Sequence, residues 1–471
     1  MLRLYDTATR RKGLLRPLSE GRIGIYTCGP TLHAYAHLGL IRRLLAVDVL
    51  KKLLLCDGYQ VRHIVNLTDI DDKTIAESAR RGVRLEELTG QFAKEFFDDL
   101  ASLRISPADH YPRATEHVDD MVGLTRRLVD AGLAYERHRS VYFDISRFAA
   151  YGRLSSVDRS RVRTGVTVDM DYYEKDDAHD FTLLRRSDLA ELRRRITYHT
   201  DWGNVRPGWH IECAAMASKY LGEQFDIHTS GEDLVFPHNE NENAICEALS
   251  GRPMARTWLH TGLVLRKGKK MSRSAGSALT FRDLAGRGYS GSQVRFALLL
   301  VHYRRHRDFS FDRLDAACRE LARLDALVRN LRQVRAEGDA HREVDDAVET
   351  ADRGFFEALR DDLNVPKAKA ALFGLARVLN ARMQKGGIVR RDADLALDFL
   401  YRADRVFSVL DFGAGPAVAP ELDERVAELL AERDRARAAR DWTKADALRD
   451  ELAALGMEIE DTPKGSRIKG R

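Results

Sequence analysis

Two cysteines, a histidine and a glutamate are the first residues whose types suggest chemistry. Cys28 closes an apolar run, Cys213 lies in PGWHIECAAM (207–216), and His238 and Glu242 lie four apart in FPHNENENAICEA (236–248). That spacing puts His238 and Glu242 on one face of a helix. The four together offer two thiolates, an imidazole and a carboxylate, a set suited to zinc. Nothing in the spacing forces the grouping, because cysteines are often small buried hydrophobes and a His/Glu pair at i,i+4 is often a surface contact. A different chemistry is offered by KGKKMSRSAGS (267–277), where Lys270, Ser272, Arg273 and Ser274 supply cations and hydroxyls able to wrap phosphate oxygens. A solvated basic loop is the commoner outcome of such a composition, and Met271 in its middle weighs against that outcome. A third segment, CGPTLHAYAHLGL (28–40), joins a strand end at Cys28 and Gly29 to a helix beginning near His37. Gly39 there lets a nucleotide lie against the helix start, whose free N–H groups and dipole favour anions. Alone this signal is weak, since Gly and His in a loop are usually structural.

The surrounding patterns say what must hold these residues. GRIGIYTCG (21–29) reads as a strand meeting a loop, and Leu40, Ile41, Leu44, Leu45, Val49 and Leu53 recur at helical spacing before Gly58 stops the helix. VRHIVN (61–66) reads as a second strand. Strand, loop, helix and strand make a βαβ unit, which implies a parallel sheet with its ligand crevice at the strand ends. Helical periodicity continues through 85–105 and 115–131. The stretch 137–205 breaks it with short aromatic-alternating pieces such as SVYFDI and a charged run from Asp158 to Asp177, the signature of an inserted, partly extended segment. Helices at 208–221 and 239–249 flank the strand-like QFDIHTS, and LHTGLVL (259–265) reads as one further strand. After Ser310 the pattern is helical over 311–335, 345–361, 366–382, 393–410, 421–440 and 442–455, interrupted at GAGPAVAP (413–420), a linker by composition. The predicted architecture is α/β: a Rossmann-type parallel-sheet domain over 1–305 with a connective insertion at about 115–205, an all-α helical bundle over 306–412, and a small C-terminal module over 421–471.

Composition bounds the rest. The chain of 471 residues is 44% apolar and 32% charged, a globular profile, with 77 basic and 72 acidic side chains giving a formal charge of +5. That mild excess permits a polyanionic partner without demonstrating one. No apolar run approaches the ~18 residues needed to span a bilayer. The start, MLRLYDTATRRKG, lacks the apolar core of a secretory signal. The five cysteines are odd in number and scattered, which suits reduced thiols in the cytoplasm. Cys56, Cys246 and Cys318 read as buried, idle thiols.

Taken in order, these segments resemble the class I aminoacyl-tRNA synthetases, and specifically the bacterial cysteinyl-tRNA synthetases. The resemblance runs nearly end to end, through the CGPT loop, a HIGH-type motif written His37-Leu38-Gly39-Leu40, NLTDIDDK (66–73), RPGWHIECAAM, DIHTSGEDLVFPHNENE (226–242), KMSRS (270–274) and RARAARDWTKADALRDELAALGMEIEDTP (435–463). It implies activation of L-cysteine by Mg-ATP to cysteinyl-adenylate, followed by transfer to tRNA(Cys). It also implies one Zn2+ per chain, held at Cys28, Cys213, His238 and Glu242. Zinc prefers a soft sulfur to a serine hydroxyl, so one contact could separate two nearly isosteric amino acids. The same resemblance assigns Gly29, Thr68, Trp209, His228 and Asp233 to the cysteine pocket, and His37, Gly39, Lys270, Met271, Ser272, Arg273 and Ser274 to ATP. His37, Lys270 and Arg273 would carry the catalytic charge. Arg437, Asp446 and Asp461 fall at anticodon-reading positions, with Trp442 expected to pack in that module's core and, as the other reading, to serve as a base-stacking platform. The expected state is a cytoplasmic monomer with no membrane association.

The sequence also departs from the family pattern. Leu40 stands for the motif's second His, Arg273 for the second Lys of the phosphate loop, Asn239 for a His after His238, Val65 for an Arg and Leu184 for a Trp. None touches an expected zinc ligand, so metal binding is expected intact while the ATP side, at Leu40 and Arg273, is unusual. They keep open a specialised or slowed paralog, either an ATP-dependent ligase joining cysteine to another amine or a non-catalytic RNA-binding relative.

Overall fold

In the computed structural model the described residues are 1–157, 180–271, 276–385, 387–413, 429–430, 432–437, 439, 441–454, 459–462 and 465–468. The chain divides into two compact units, Met1–Leu410 and Asp411–Arg471.

The first unit opens with a hairpin of β1 (Arg3–Asp6) and β2 (Arg11–Leu14), which the sequence patterns did not predict. The expected βαβ unit follows as β3 (Arg22–Thr27), α1 (Leu38–Cys56) and β4 (Gln60–Val65). Gly58 ends the turn after α1 at φ +85°, a conformation that a side chain would strain. Next come α2 (Asp72–Arg81), α3 (Leu85–Ser102) and α4 (Val118–Asp130). Of these, α2 escaped the periodicity reading because it is a short surface helix burying only Thr74 and Ser78.

The insertion is a five-stranded antiparallel sheet in the order β5-β6-β7-β9-β8, built from Ala134–Arg137, Ser140–Phe143, Phe181–Arg186, Gly203–Pro207 and Tyr198–Thr200, with a short α5 (Leu189–Arg193) between β7 and β8. The whole of its charged run, Asp158 to Asp177, lies outside the described residues. The chain then returns through α6 (Trp209–Leu221), β10 (Phe225–Gly231), α7 (Glu240–Ser250) and β11 (Ala255–Thr261).

The central sheet has the order β11-β10-β3-β4, with every pair parallel. From β3 the chain turns through α1 to β4, whereas from β10 it turns through α7 to β11 on the other side. Neighbouring β3 and β10 therefore send their connections apart, and a crevice opens beyond their carboxyl ends, where open α/β sheets bind ligands. The predicted single strand over 259–265 is instead two. At Gly262 the chain leaves the main sheet, and β12 (Val264–Arg266) pairs with β13 (Lys269–Lys270) and β14 (Arg307–Asp308) in a separate small sheet. A Cβ on Gly262 would meet the Arg304 and Arg305 backbone at 2.8 Å, so the break is a close crossing of two chain segments.

After α8 (Phe281–Ala285) and α9 (Gly291–Leu299), four long helices follow: α10 (Phe311–Gln333), α11 (Arg342–Arg360), α12 (Val365–Gln384) and α13 (Arg390–Phe407). Each buries one apolar stripe, such as Val344, Val348, Ala351, Phe355 and Leu359 of α11. In the second unit a helix over Trp442–Ala454 precedes an antiparallel pair, Ile459–Thr462 with Gly465–Ile468. Its described core is Leu429, Leu448 and Leu452, while Trp442 is 59% exposed, so the expectation that Trp442 packs in the core is corrected. The expectation of three buried idle thiols is corrected too: Cys246 is buried, Cys56 is exposed and Cys318 is intermediate.

One ion pair fastens α1 to its surroundings. Asp48 accepts from Arg295 Nη2 at 2.5 Å and from the Ser106 backbone N–H at 2.8 Å, and it pairs with Lys52 at 2.8 Å. Arg295 also donates to the carbonyls of Phe407, Leu103 and Arg104, which ties α9 to the ends of α13 and α3. Both side chains are buried, so removing one orphans the other. Arg295→Ala is predicted to cost about 3–5 kcal/mol in urea unfolding at neutral pH. Burial raises the Asp48 pKa, but Arg295 and Lys52 bring it below its ordinary value. The stability it contributes is therefore present above ~3.9 and lost as pH falls through the lower folded value, so the gap between wild type and variant should narrow in acid.

Candidate active site and metal centre

Cys28 stands one residue beyond β3, Cys213 in α6, and His238 and Glu242 at the entry and first turn of α7. These four come from three separate segments, yet one ligand atom of each lies within 4.8 Å of every other, and all four residues are buried. Cys28 Sγ is 3.5 Å from Glu242 Oε1, and His238 Nε2 is 2.5 Å from the same oxygen. The His238 ring is set by its other face: Nδ1 is 3.0 Å from His210 Nδ1, and Trp209 stacks on the ring at 4.1 Å between centroids. Such outer contacts leave Nε2 turned to the cluster, the usual way a ligating imidazole is oriented.

Two further residues complete the arrangement. His228 of β10 is fully buried, with Nε2 2.6 Å from Glu242 Oε2 and 3.9 Å from Cys28 Sγ. Asn239 donates from Nδ2 to Glu242 Oε1 at 3.3 Å and to Cys28 Sγ at 3.7 Å. Its Oδ1 accepts from Ser230 Oγ at 2.6 Å and lies 3.0 Å from His260 Nε2. The amide at this position thus braces two of the four ligands, which corrects the expectation that no departure from the family pattern touches one.

The electrostatics are those of a buried anionic centre. Burial pushes the Cys28 thiol up, but its hydrogen bond with Cys213 and the neighbouring His228 bring it below the ordinary thiol range. The Cys213 thiol is raised by that same bond and by burial. Burial likewise opposes ionisation of Glu242, yet His238 and His228 hold its carboxyl below the usual carboxylate range. Against their own burial, the Glu242 charge lifts His238 to about 10 and His228 to about 9. Protons on two imidazoles here supply positive charge that a divalent cation would also supply, and the donor set of two sulfurs, one nitrogen and one oxygen fits zinc.

Beside the cluster lies a cleft of about 400 Å3 at the carboxyl end of the sheet. Gly29, His37, Gly39, Trp209, Asp233, Lys270 and Met271 all line it. Gly29 allows a close approach that no other residue could, since a Cβ would stand 1.7 Å from the Asn66 carbonyl oxygen. His37 caps α1, its Nδ1 accepting from the N–H groups of Gly39 and Leu40 at 3.1 and 3.3 Å, which leaves the ring proton on Nε2. Lys270 Nζ donates to Asp233 Oδ2 at 2.7 Å and, despite burial, keeps that carboxylate below its ordinary pKa. Thr68 and His228 do not line the cleft. Thr68 donates to Glu212 Oε2 at 3.1 Å; that fully buried carboxyl, which the sequence reading did not single out, is pushed well up by burial and by the nearby Asp71. A larger hollow of about 1170 Å3, lined by Asp69, Arg113, Arg194 and Tyr198 among others, includes none of the four clustered ligands.

Ser272, Arg273 and Ser274 lie outside the described residues. In the C-terminal unit Arg437 is half-buried, and Asp446 pairs with Arg449 at 3.3 Å. Asp461 sits in the strand Ile459–Thr462. Leu40 is buried at the cleft wall, and Arg42 is committed to the carbonyls of Gly262, His302 and Arg305, where it holds the crossing at Gly262.

The switch-point crevice and its motifs define a class I aminoacyl-tRNA synthetase: residues 14–319 match the model of the tRNA synthetases class I (C) catalytic domain. Solved structures of similar fold include a leucyl-tRNA synthetase ternary complex from Agrobacterium radiobacter K84, at 10% identity and TM-score 0.60, over 83% of this chain and 85% of that one. A methionyl-tRNA synthetase from Mycobacterium tuberculosis with methionyl-adenylate matches at 17% identity and TM-score 0.55, over 82% of this chain and 90% of that one. Residues 354–411 match a DALR domain and 419–468 the cysteinyl-tRNA ligase anticodon binding domain. The cysteine–tRNA ligase of Chlamydia felis is 40% identical over 99% of this chain and 98% of its own length, and that of Methanosarcina mazei 39% identical over 100% and 99%. The chain belongs to the cysteinyl-tRNA synthetase family.

The bracing role of Asn239 is open to measurement. Asn239→Ala would leave Ser230 and His260 without their shared acceptor in a fully buried setting. A loss of about 1–3 kcal/mol in urea unfolding is the expected cost of orphaning a buried polar group.

Proposed function

We propose that the chain activates L-cysteine with ATP to cysteinyl-adenylate and transfers the cysteinyl group to tRNA(Cys), with one zinc ion held by Cys28, Cys213, His238 and Glu242. The observation that carries this reading is the convergence of those four buried ligand atoms beside a cleft lined by a helix N-terminus and Lys270. A zinc ion there would supply a soft acceptor for the substrate thiolate, which a serine hydroxyl cannot match. Thr68, Trp209, His228 and Asp233, with the close-approach Gly29, are the proposed cysteine-pocket residues.

In the activation step a carboxylate oxygen of cysteine attacks the α-phosphorus of Mg-ATP and pyrophosphate leaves with the electron pair. The chain needs to supply position and positive charge rather than covalent chemistry. His37, with a ring N–H at the cleft wall, suits a phosphate contact. Gly39 keeps the helix start open for the nucleotide, with Met271 beside it. Lys270 and Arg273 are the proposed cations for the leaving pyrophosphate, with Ser272 and Ser274 as hydroxyl donors. The match of 419–468 to an anticodon-binding model supports tRNA over a small amine as acceptor, with Arg437, Asp446 and Asp461 proposed to read the anticodon. Among the described residues no helix is long and apolar enough to cross a membrane, and we assign the reaction to the cytoplasm.

Cysteine-dependent exchange of pyrophosphate into ATP, measured without tRNA, tests the reading. The expected result is exchange with L-cysteine and little with L-serine, a discrimination of ~10⁴ or more for a site whose polar groups the wrong substrate leaves unmatched. Metal analysis of Cys213→Ser should show less zinc. Undiminished zinc in that variant, or serine activated nearly as well as cysteine, would contradict the assignment.

A further inference from the structure

Arg43 is one helical turn beyond Leu40 on α1 and lines the same cleft. It is only 7% exposed, and its Nε is buried without a partner. Among the described residues no group accepts a hydrogen bond from this guanidinium or pairs with it. The two neighbouring carboxylates are otherwise engaged. Asp233 is held by Lys270 at 2.7 Å, and Glu242 by His228 and His238 at 2.6 and 2.5 Å. Adjacent Arg42 shows what a committed arginine looks like here, since it spends its donors on the carbonyls of Gly262, His302 and Arg305. The Arg43 head is placed at the end of β10: a Cβ built on Gly231 would stand 3.9 Å from Nη1, so the glycine leaves this face open.

An arginine stays charged in proteins, and a buried charge with no partner is costly. Five donors in a planar fork match a carboxylate or phosphate in two-point geometry. Leu40, one turn earlier, presents hydrocarbon to the same cleft, so this stretch of α1 relies on Arg43 for its cation.

We propose that Arg43 is a substrate-binding residue whose guanidinium grips an oxyanion of the reacting pair, either the cysteine carboxylate or the α-phosphate. This rests on the activation reaction proposed above. As the carboxylate oxygen bonds to the α-phosphorus and the bond to the pyrophosphate oxygen breaks, no proton moves. Negative charge redistributes over oxygens within reach of a fixed cation, and the electron pair leaves with pyrophosphate.

The test uses the intact, metal-loaded chain and Arg43→Met, which keeps an unbranched apolar stem and removes the charged head. Dissociation constants are compared for AMP against adenosine, and for L-cysteine against cysteamine, which lacks the carboxylate. The expected result is that one of these two preferences shrinks ~10–100-fold in the variant, the worth of a charge-assisted contact. A smaller AMP preference identifies the phosphate as partner, and a smaller cysteine preference identifies the carboxylate. The melting temperature without ligand should be unchanged or higher, because the variant removes an unpartnered buried charge. Arg43→Gln, neutral and polar, gives the same readings should Arg43→Met fail to fold. Both preferences unchanged would overturn the proposal. If the variant then also lost zinc, Arg43 would be a countercharge to the cluster; if it lost melting temperature instead, the residue would be structural. These binding preferences are measured without turnover. Absence of cysteine-dependent exchange in the wild-type protein would therefore count against the proposed function alone, while the AMP arm still decides the role of Arg43.

Discussion

The interaction on which the rest depends is the forced proximity of sulfur and carboxylate in the buried interior. Cys28 Sγ and Glu242 Oε1 stand 3.5 Å apart, both fully buried, and each is pulled toward its charged form by neighbours. The Glu242 carboxylate accepts from the Cys28 thiol, and a buried negative charge there demands a cation or further donors beside it. The structure meets the demand with the imidazoles of His238 and His228 and with an amide, Asn239, that donates to both Cys28 and Glu242. A site that must attract positive charge is thereby part of the folding problem as well as of the chemistry.

The surrounding elements follow from that need. Cys28 can sit at the cluster because β3 ends there, and β3 is held between β4 and β10 in parallel register. His228 comes from β10 itself, and Glu242 from the helix that β10 feeds. Placing α1 and α7 on diverging connections opens the cleft within reach of the cluster, so a substrate could present its side chain to one and its carboxylate to the other. The Asp48–Arg295 pair then fixes α1, whose first turns carry His37, Leu40 and Arg43, against α9 and the end of the bundle. The buried Arg295 guanidinium is thus one link between the cleft wall and the helical bundle, beside Lys52 with Ser408 and Arg360 with Asp57.

Much of this was legible in the sequence, for identifiable reasons. The βαβ unit showed because α1 and its flanking strands have strong apolar periodicity, and the four bundle helices showed for the same reason. The ligand types were visible as residues, but their grouping came only through the family resemblance, since Cys28 and Cys213 are far apart in sequence and spacing alone does not join them. The hairpin β1–β2, the short helix α2 and the break at Gly262 were missed because each is set by tertiary contacts rather than by a local pattern. Arg43 was missed for a related reason: in sequence it is one of two adjacent arginines, and only packing reveals that Arg42 is committed while Arg43 is not. Trp442 shows the converse, an aromatic residue assigned to a core by type and found exposed.

The central claim is that the buried cluster selects its amino acid through sulfur. The most direct measurement is to load the protein with cobalt in place of the proposed zinc and follow the sulfur-to-metal charge-transfer absorption while titrating amino acids. The account predicts that L-cysteine intensifies that band in proportion to occupancy, whereas L-serine leaves it unchanged. A band indifferent to cysteine at concentrations that saturate pyrophosphate exchange would contradict it, because the thiol would then be recognised elsewhere.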